Sequence, residues 1–176
     1  MKNQIKMLLI LLVFFFLCSC TGITRKSDYG YSEQGIQLRV QSDLQLNLYQ
    51  GKPHTLVLCV YQLRDPNTFN QMADEEGGLS KLLDGSRFDN SVSSSKKIVV
   101  HPGIEVAEEM DRADGAKYVC VVAGYFYELQ KARDEIQKDQ IVRLFPIPLS
   151  MFTKQPKKFD IHLILGPQEI KSLEVK

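Results

Sequence analysis

The chain has no tryptophan, and its 22 lysines and arginines nearly cancel its 21 aspartates and glutamates. So close a balance leaves no basic stripe for nucleic acid or an anionic surface. Histidine is sparse: His54, His101 and His162 are scattered, the first two each beside a proline. None has the spacing of a zinc site. The sequence also lacks G-x-S-x-G, H-E-x-x-H, a P-loop and a glycine-rich dinucleotide turn. Carboxylates gather at Asp74-Glu75-Glu76 and at Glu108-Glu109-Asp111. General acid–base chemistry needs two carboxyls held across a cleft, whereas these runs read as solvated segments. The expectation is a protein without catalytic residues, metal, cofactor or small-molecule substrate. A long apolar run is missing too. The longest, Met7 to Cys18, has twelve residues, well short of the ~20 that a spanning helix requires.

What that run does offer is an export signal. Lys2 and Lys6 precede it and small polar residues follow, the layout of a signal peptide rather than of a core segment. Its end, Leu17-Cys18-Ser19-Cys20, resembles a bacterial lipobox. That resemblance implies cleavage before Cys20, a thioether-linked diacylglycerol on its sulfur and acylation of the new amino terminus. Two or more acyl chains anchor a protein stably where one does not. In bacterial lipoproteins an Asp after the lipidated cysteine usually causes inner-membrane retention; Thr21 stands there instead, so the outer membrane is the expected destination. Loss of Lys2 and Lys6 turns the net charge from +1 to −1. The expected organisation is a signal peptide over 1–19, a lipidated amino terminus and flexible tether over 20–35, and one β-sandwich domain over 36–176.

Strand signals dominate the rest. Ile36, Leu38 and Val40 alternate with polar residues, which predicts a half-buried strand. Thr55 to Leu63 is β-branched and apolar on both faces, as a central strand covered on both sides would be. Asp65-Pro66 then opens a short helix, and Leu79 to Leu83 forms a second, its leucines at i, i+3 and i+4. Further strands are expected at Lys96 to Val100, Ile104 to Met110, Ala116 to Tyr127, Ile141 to Phe145 and Phe159 to Leu165, with one more edge strand at the carboxyl end. Ser93 to Ser95 reads as a turn, Asp114-Gly115 as a hairpin signal, and 128–140 as a place for a short helix. Strand and helix do not alternate, so a parallel α/β sheet is excluded. The pattern predicts an all-β, two-sheet antiparallel sandwich of about eight strands, with two short helices after the second strand.

Two features stay open at this level. Cys59 and Cys120 both lie in apolar strands. In an oxidising compartment they could be bridged, or each could pack as a small hydrophobe. The stretch Asp43 to His54, DLQLNLYQGKPH, is either the far half of a long first strand or a projecting loop. In the second case its apolar side chains would suit a protein interface, where such anchors dominate the binding energy.

Taken together, several pieces resemble the TssJ (SciN) family, the outer-membrane lipoproteins of the bacterial type VI secretion apparatus. They are the lipobox, Asn47, the run LVLCVYQLRD over 56–65 with Phe69 after it, His101-Pro102-Gly103, and YVCVVAGYF over 118–126. The resemblance implies a transthyretin-like sandwich without enzyme activity. It also implies binding to the periplasmic C-terminal domain of TssM, in a trans-envelope complex with TssL. In the family the loop between the first two strands contributes to that binding. Carried onto this chain, the partner-binding residues would be Asp43, Leu44, Leu46, Asn47, Leu48, Tyr49, Lys52 and His54. The alternative is a ligand-binding or accessory periplasmic lipoprotein with a transthyretin-like or immunoglobulin-like fold. The lipidation reading predicts that Cys20→Ser leaves the fold intact but frees the protein from the membrane. Fractionation checks this, and continued outer-membrane attachment would overturn it.

Overall fold

The structure, a computed structural model, describes residues 29–126, 142–145 and 158–175. Cys20 and the lipobox, the helix expected within 128–140 and the proline-rich exit at 146–149 lie outside these residues. Eight strands and two helices are described in the order β1 (Ser32–Ser42), β2 (Leu56–Leu63), α1 (Asn67–Asp74), α2 (Gly78–Leu83), β3 (Val92–Val100), β4 (Glu105–Arg112), β5 (Tyr118–Gly124), β6 (Val142–Phe145), β7 (Phe159–Leu165) and β8 (Ile170–Val175). They form two four-stranded sheets, ordered β4-β1-β7-β8 and β3-β2-β5-β6. The fold is the expected two-sheet, transthyretin-like sandwich with two short helices after β2. Every pairing is antiparallel except β1 with β7, which is parallel.

The period-two pattern explains how β2 organises both layers. Leu56, Leu58 and Val60 point between the sheets, where they meet Ile36, Leu38 and Val40 of β1 and Ile161, Leu163 and Leu165 of β7. Cys59, Tyr61 and Leu63 point to the opposite face, which α1 and α2 cover through Phe69, Leu82 and Leu83. Tyr61 packs against the rings of Phe69 and Phe88 and donates its hydroxyl proton to the Leu82 carbonyl at 2.6 Å. Burial pushes its phenol up to about 12, so the group stays a donor at any physiological pH. Gln62 continues the inward row but is polar. It donates to the Asp111 carbonyl and accepts from the Ala113 amide, tying β2 to the end of β4 across the sandwich. A buried side-chain amide needs both partners, since each unmet group costs about 1–3 kcal/mol.

Several boundaries differ from the sequence reading. Ser93 to Ser95 belong to β3, because Ser95 and Ser94 pair with Tyr61 and Gln62 of β2 and, past a register shift at Ser93, Val92 pairs with Leu63. Asp114-Gly115 turns the chain from one sheet to the other, since β4 and β5 lie in different sheets. Residues 29–35 are held by the domain. β1 begins at Ser32, and the segment before it is clasped by residues 111–117. Arg112 donates two hydrogen bonds to the Gly30 carbonyl. Gly115 donates to the Tyr29 carbonyl, and the Lys117 ammonium lies over the Tyr29 ring. Asp111 accepts from the Gln34 amide and from the Tyr31 hydroxyl. Those two bonds, the backbone one foremost, hold its carboxyl below the usual range. The Asp111 contribution is therefore present above the ordinary Asp range and lost as pH falls through the lowered value.

Cys59 and Cys120 are both free thiols, buried on the helix-covered face. The register gives the reason. Cys59 pairs with Val122 and Cys120 with Tyr61, so the two cysteines are diagonal neighbours. Such neighbours stand ~7–8 Å apart, beyond the span a disulfide bridges without backbone movement. Burial pushes the Cys120 thiol up to about 12 and raises that of Cys59. Thiolate, the reactive form, is thus scarce near neutrality. Thiol titration of residues 21–176, which leaves out Cys18 and Cys20, is expected to find Cys59 and Cys120 unreactive while folded and freely reactive once denatured. Rapid labelling of the native protein would contradict this packing.

Candidate functional site

β1 ends at Ser42, and Asp43 to Thr55 form a loop rather than a longer strand. Four segments close this end of the sandwich: the 43–55 loop, the β3–β4 turn at 101–104, the end of β5 through Phe126, and the β7–β8 turn. Backbone bonds knit them together. The Asp43 amide donates to the Leu165 carbonyl, the Leu48 amide to Pro167, and the Gly103 amide to Asp43. The Ser42 hydroxyl contacts the carbonyls of His101 and Ile104 and also accepts from the Ile104 amide. Lys171 from β8 reaches the Asp43 carboxylate at 2.7 Å. That bond, followed by one from the Gln45 amide, holds the Asp43 carboxyl below its ordinary value.

The eight residues singled out from sequence divide into two groups here. Leu46 and Asn47 point inward. Leu46 has no exposure and joins the sandwich core. Asn47, 2% exposed, donates to the Thr55 carbonyl at 2.8 Å and accepts from the Phe126 amide at 2.7 Å. Its φ of 51° is in the left-handed region, which Asn tolerates better than most residues. A hydrogen-bonding asparagine in a turn therefore serves to shape the loop. The remaining six lie at or near the surface. Leu44 is 79% exposed. Lys52 is exposed, while Asp43, Leu48, Tyr49 and His54 are half-buried. Tyr49 and Lys52 pair across a tight turn whose central residues, Gln50 and Gly51, both have positive φ, the geometry favoured for two-residue hairpins.

Two residues absent from the sequence-derived set belong to this surface. Phe126, 41% exposed, stacks on Tyr49 and meets His54 edge-on. Ile104, 49% exposed, follows Gly103 in the β3–β4 turn. Leu44 packs against Gly103 so closely that a Cβ there would stand 2.7 Å from Leu44 Cδ2. The end therefore presents an apolar ridge of Leu44 and Ile104 and an aromatic cluster of Tyr49, His54 and Phe126. The sequence signals were Pro102-Gly103 and Tyr125-Phe126, but only topology brings them beside the loop.

Among the described residues no three His, Cys, Asp or Glu side chains converge as metal ligands. An open cleft between β3 and β4 is lined by Val60, Gln62, Ser94, Ser95, Lys96, Glu109, Met110 and Asp111. Its polar side chains serve the protein itself, Gln62 as described and Lys96 in an ion pair with Glu108 at 2.6 Å. The division of the loop into inward and outward residues has a testable consequence. Asn47→Ala should lower stability by about 2 kcal/mol or more, because it orphans two backbone groups. Leu44→Ser should leave stability within about 0.5 kcal/mol. Denaturant unfolding of the two variants checks this, and equal effects would contradict it.

The comparisons with known proteins agree with this architecture. Residues 34–148 match the family model "Type VI secretion lipoprotein, VasD, EvfM, TssJ, VC_A0113". No curated protein sequence matches the chain. Among solved structures, the type VI secretion lipoprotein TssJ1 from Pseudomonas aeruginosa is similar with a TM-score of 0.55 at 16% identity, over 84% of this chain and 96% of that one. Serratia marcescens Lip, a membrane bound component of the type VI secretion system, gives 0.56 at 21% identity over 80% and 96%. A chain in the structure of the TssM C-terminal domain (869-1107) from EAEC gives 0.54 at 17% identity over 79% and 96%. At these identities the structural likeness speaks for the fold. The family match spans more than half of the chain, and the protein belongs to the type VI secretion lipoprotein family that includes TssJ.

Proposed function

We propose that this protein is a non-catalytic outer-membrane lipoprotein that anchors a type VI secretion membrane complex by binding the periplasmic C-terminal domain of TssM, with TssL in the same assembly. Family membership carries the reading. Lipid on Cys20 holds the outer membrane, and the sandwich offers the 43–55 end to the partner. The geometry supports this division of labour. Residues 29 and 30 lie beside Arg112 and Gly115, at the opposite end of β1 from Asp43. A partner at the 43–55 end therefore meets the pole that faces away from the tether.

In this reading Leu44 and Tyr49 supply the apolar anchors, with Asp43, Leu48, Lys52 and His54 around them. Leu46 and Asn47 act from beneath by fixing the loop. The test is a binding titration between the chain carrying Cys20→Ser and the C-terminal domain of the cognate TssM. The Leu44→Ser, Tyr49→Ala double variant is run alongside. Apolar and aromatic anchors of this kind are worth ~2 kcal/mol or more each, about thirtyfold apiece, so the double variant should bind on the order of a thousandfold more weakly while unfolding normally. Wild-type strength in that variant would move the interface to another face. Failure of the unaltered chain to bind a folded TssM domain would overturn the reading.

A further inference from the structure

We propose that residues 29–35 and the end of β4 form a clamp that shortens the amino-terminal leash until the domain can turn only one pole to the lipid surface. The clamp's role rests on lipidation at Cys20. It goes beyond the anchor-and-partner reading by assigning the residues that keep the 43–55 end away from the membrane.

Both strands build the clamp. Between Ser32 and Ile36 β1 advances four positions while β4 advances two, from Arg112 to Met110, so the chain bulges there. Gln34 sits in the bulge with a φ of 47°, and its amide donates to the Asp111 carboxylate. Gly35 lets the strands close. A Cβ on it would stand 3.0 Å from Arg112 Cβ and 3.1 Å from the Ser32 carbonyl oxygen. Arg112 is 4% exposed, and among the described residues no carboxylate pairs with it. Its Nε and Nη2 donate instead to the Gly30 carbonyl, at 3.1 and 2.8 Å. Withdrawing a cation from water is costly unless it is hydrogen-bonded, and here the segment ahead of β1 supplies the acceptor. The bonds of Tyr31 with Asp111 and of Gly115 with Tyr29, and Lys117 over the Tyr29 ring, complete the grip.

Lengths turn this grip into an orientation. Eight residues stand between Cys20 and Tyr29, and at full extension they span roughly 30 Å. β1 has eleven residues, about 35 Å along its axis, and the 43–55 loop lies beyond its far end. For that loop to face the lipid, the leash would have to run back past the whole of β1, which is longer than the leash. With the clamp open, the leash would extend over residues 21–35, fifteen in all, and a reach of roughly 50 Å makes the inverted pose available. The clamp, rather than the anchor itself, excludes that pose.

Energy transfer to a labelled bilayer tests this. The chain has no tryptophan, so a single introduced one reports its own position. Asp114→Trp marks the clamped pole and Gln45→Trp the far pole, both at exposed positions. The mature lipoprotein is inserted into preformed vesicles of phosphatidylethanolamine and phosphatidylglycerol that carry dansyl headgroups. Transfer is expected to be several-fold stronger from Asp114→Trp than from Gln45→Trp, and adding Arg112→Ala should bring the two together. Two further variants guard against Arg112→Ala acting through the fold. Asp111→Ala, which opens the exposed part of the clamp, should move the ratio the same way. So should a Gly-Ser insertion after Ser27 that restores the longer leash with the clamp intact. Equal transfer from both poles of the clamped protein would overturn the inference, as would a ratio unmoved by the insertion or by both clamp variants. Cosedimentation with the vesicles separates this from the reading beneath it. Protein left in solution overturns lipidation at Cys20, whereas bound protein with equal transfer overturns the clamp alone.

Discussion

Burial of β2 on both of its faces is the constraint from which the rest follows. A strand with one apolar face is satisfied by one opposing sheet. Leu56, Leu58 and Val60 find theirs in the sandwich, but Cys59, Tyr61 and Leu63 would be left facing water. Each large apolar side chain left exposed forfeits about 1.5–3 kcal/mol. The chain meets this by inserting α1 and α2 between β2 and β3. Phe69, Leu82 and Leu83 cover the second face, and the Tyr61 hydroxyl closes onto the last turn of α2. Among the described residues the other sheet has no such cover. Gln37, Arg39 and Gln41 of β1 alternate with its buried residues, and a polar outer face needs none. The asymmetry of the two layers is therefore written in the alternation of β1 against the unbroken apolarity of β2.

That difference also explains what sequence could and could not yield. Strand positions with clear periodicity, such as Ile36–Val40, Leu56–Leu63 and Phe159–Leu165, were legible, as were the two helices, because burial dictates their spacing. Ser93 to Ser95 were not, since their place in β3 depends on partners in β2 rather than on their own polarity. The Asp114-Gly115 signal named a turn correctly but could not say which sheet the chain would enter. The parallel pairing of β1 with β7 was equally hidden. It joins segments more than a hundred residues apart, and nothing local records it.

The 43–55 loop shows the same limit at the scale of a site. Composition marked it as apolar and turn-rich, which was enough to single it out as a candidate. It could not separate Leu44 from Leu46, two residues apart and chemically identical. One is almost wholly exposed and the other wholly buried, because the turn begun at Asp43 reverses which side of the chain faces the core. Asn47 looks like a surface residue in sequence. Its left-handed backbone and its bonds to Thr55 and Phe126 make it a bracket instead. Ile104 and Phe126 were missed because a turn from one sheet and the end of a strand from the other reach this pole only in the folded molecule.

A rigid presenting surface has a thermodynamic use in this setting. Ordering a loop at the moment of binding subtracts from affinity, and residues 43–55 contain two turns and a glycine that would otherwise be costly to fix. Here the ordering is completed during folding. Asp43 is tied to Leu165, Gly103 and Lys171, Leu48 to Pro167, and Asn47 to both Thr55 and Phe126. These bonds reach the ends of β5 and β7 and the turns around them, so loosening the loop means loosening both sheets. Leu44 consequently stands exposed on a base that cannot fold over to hide it. Gly103 beneath it leaves no room for retreat, since even a Cβ would collide with the leucine. An isolated apolar side chain on a surface needs no explanation, but one held outward by the core on both sides of the sandwich is an arrangement suited to meeting a partner.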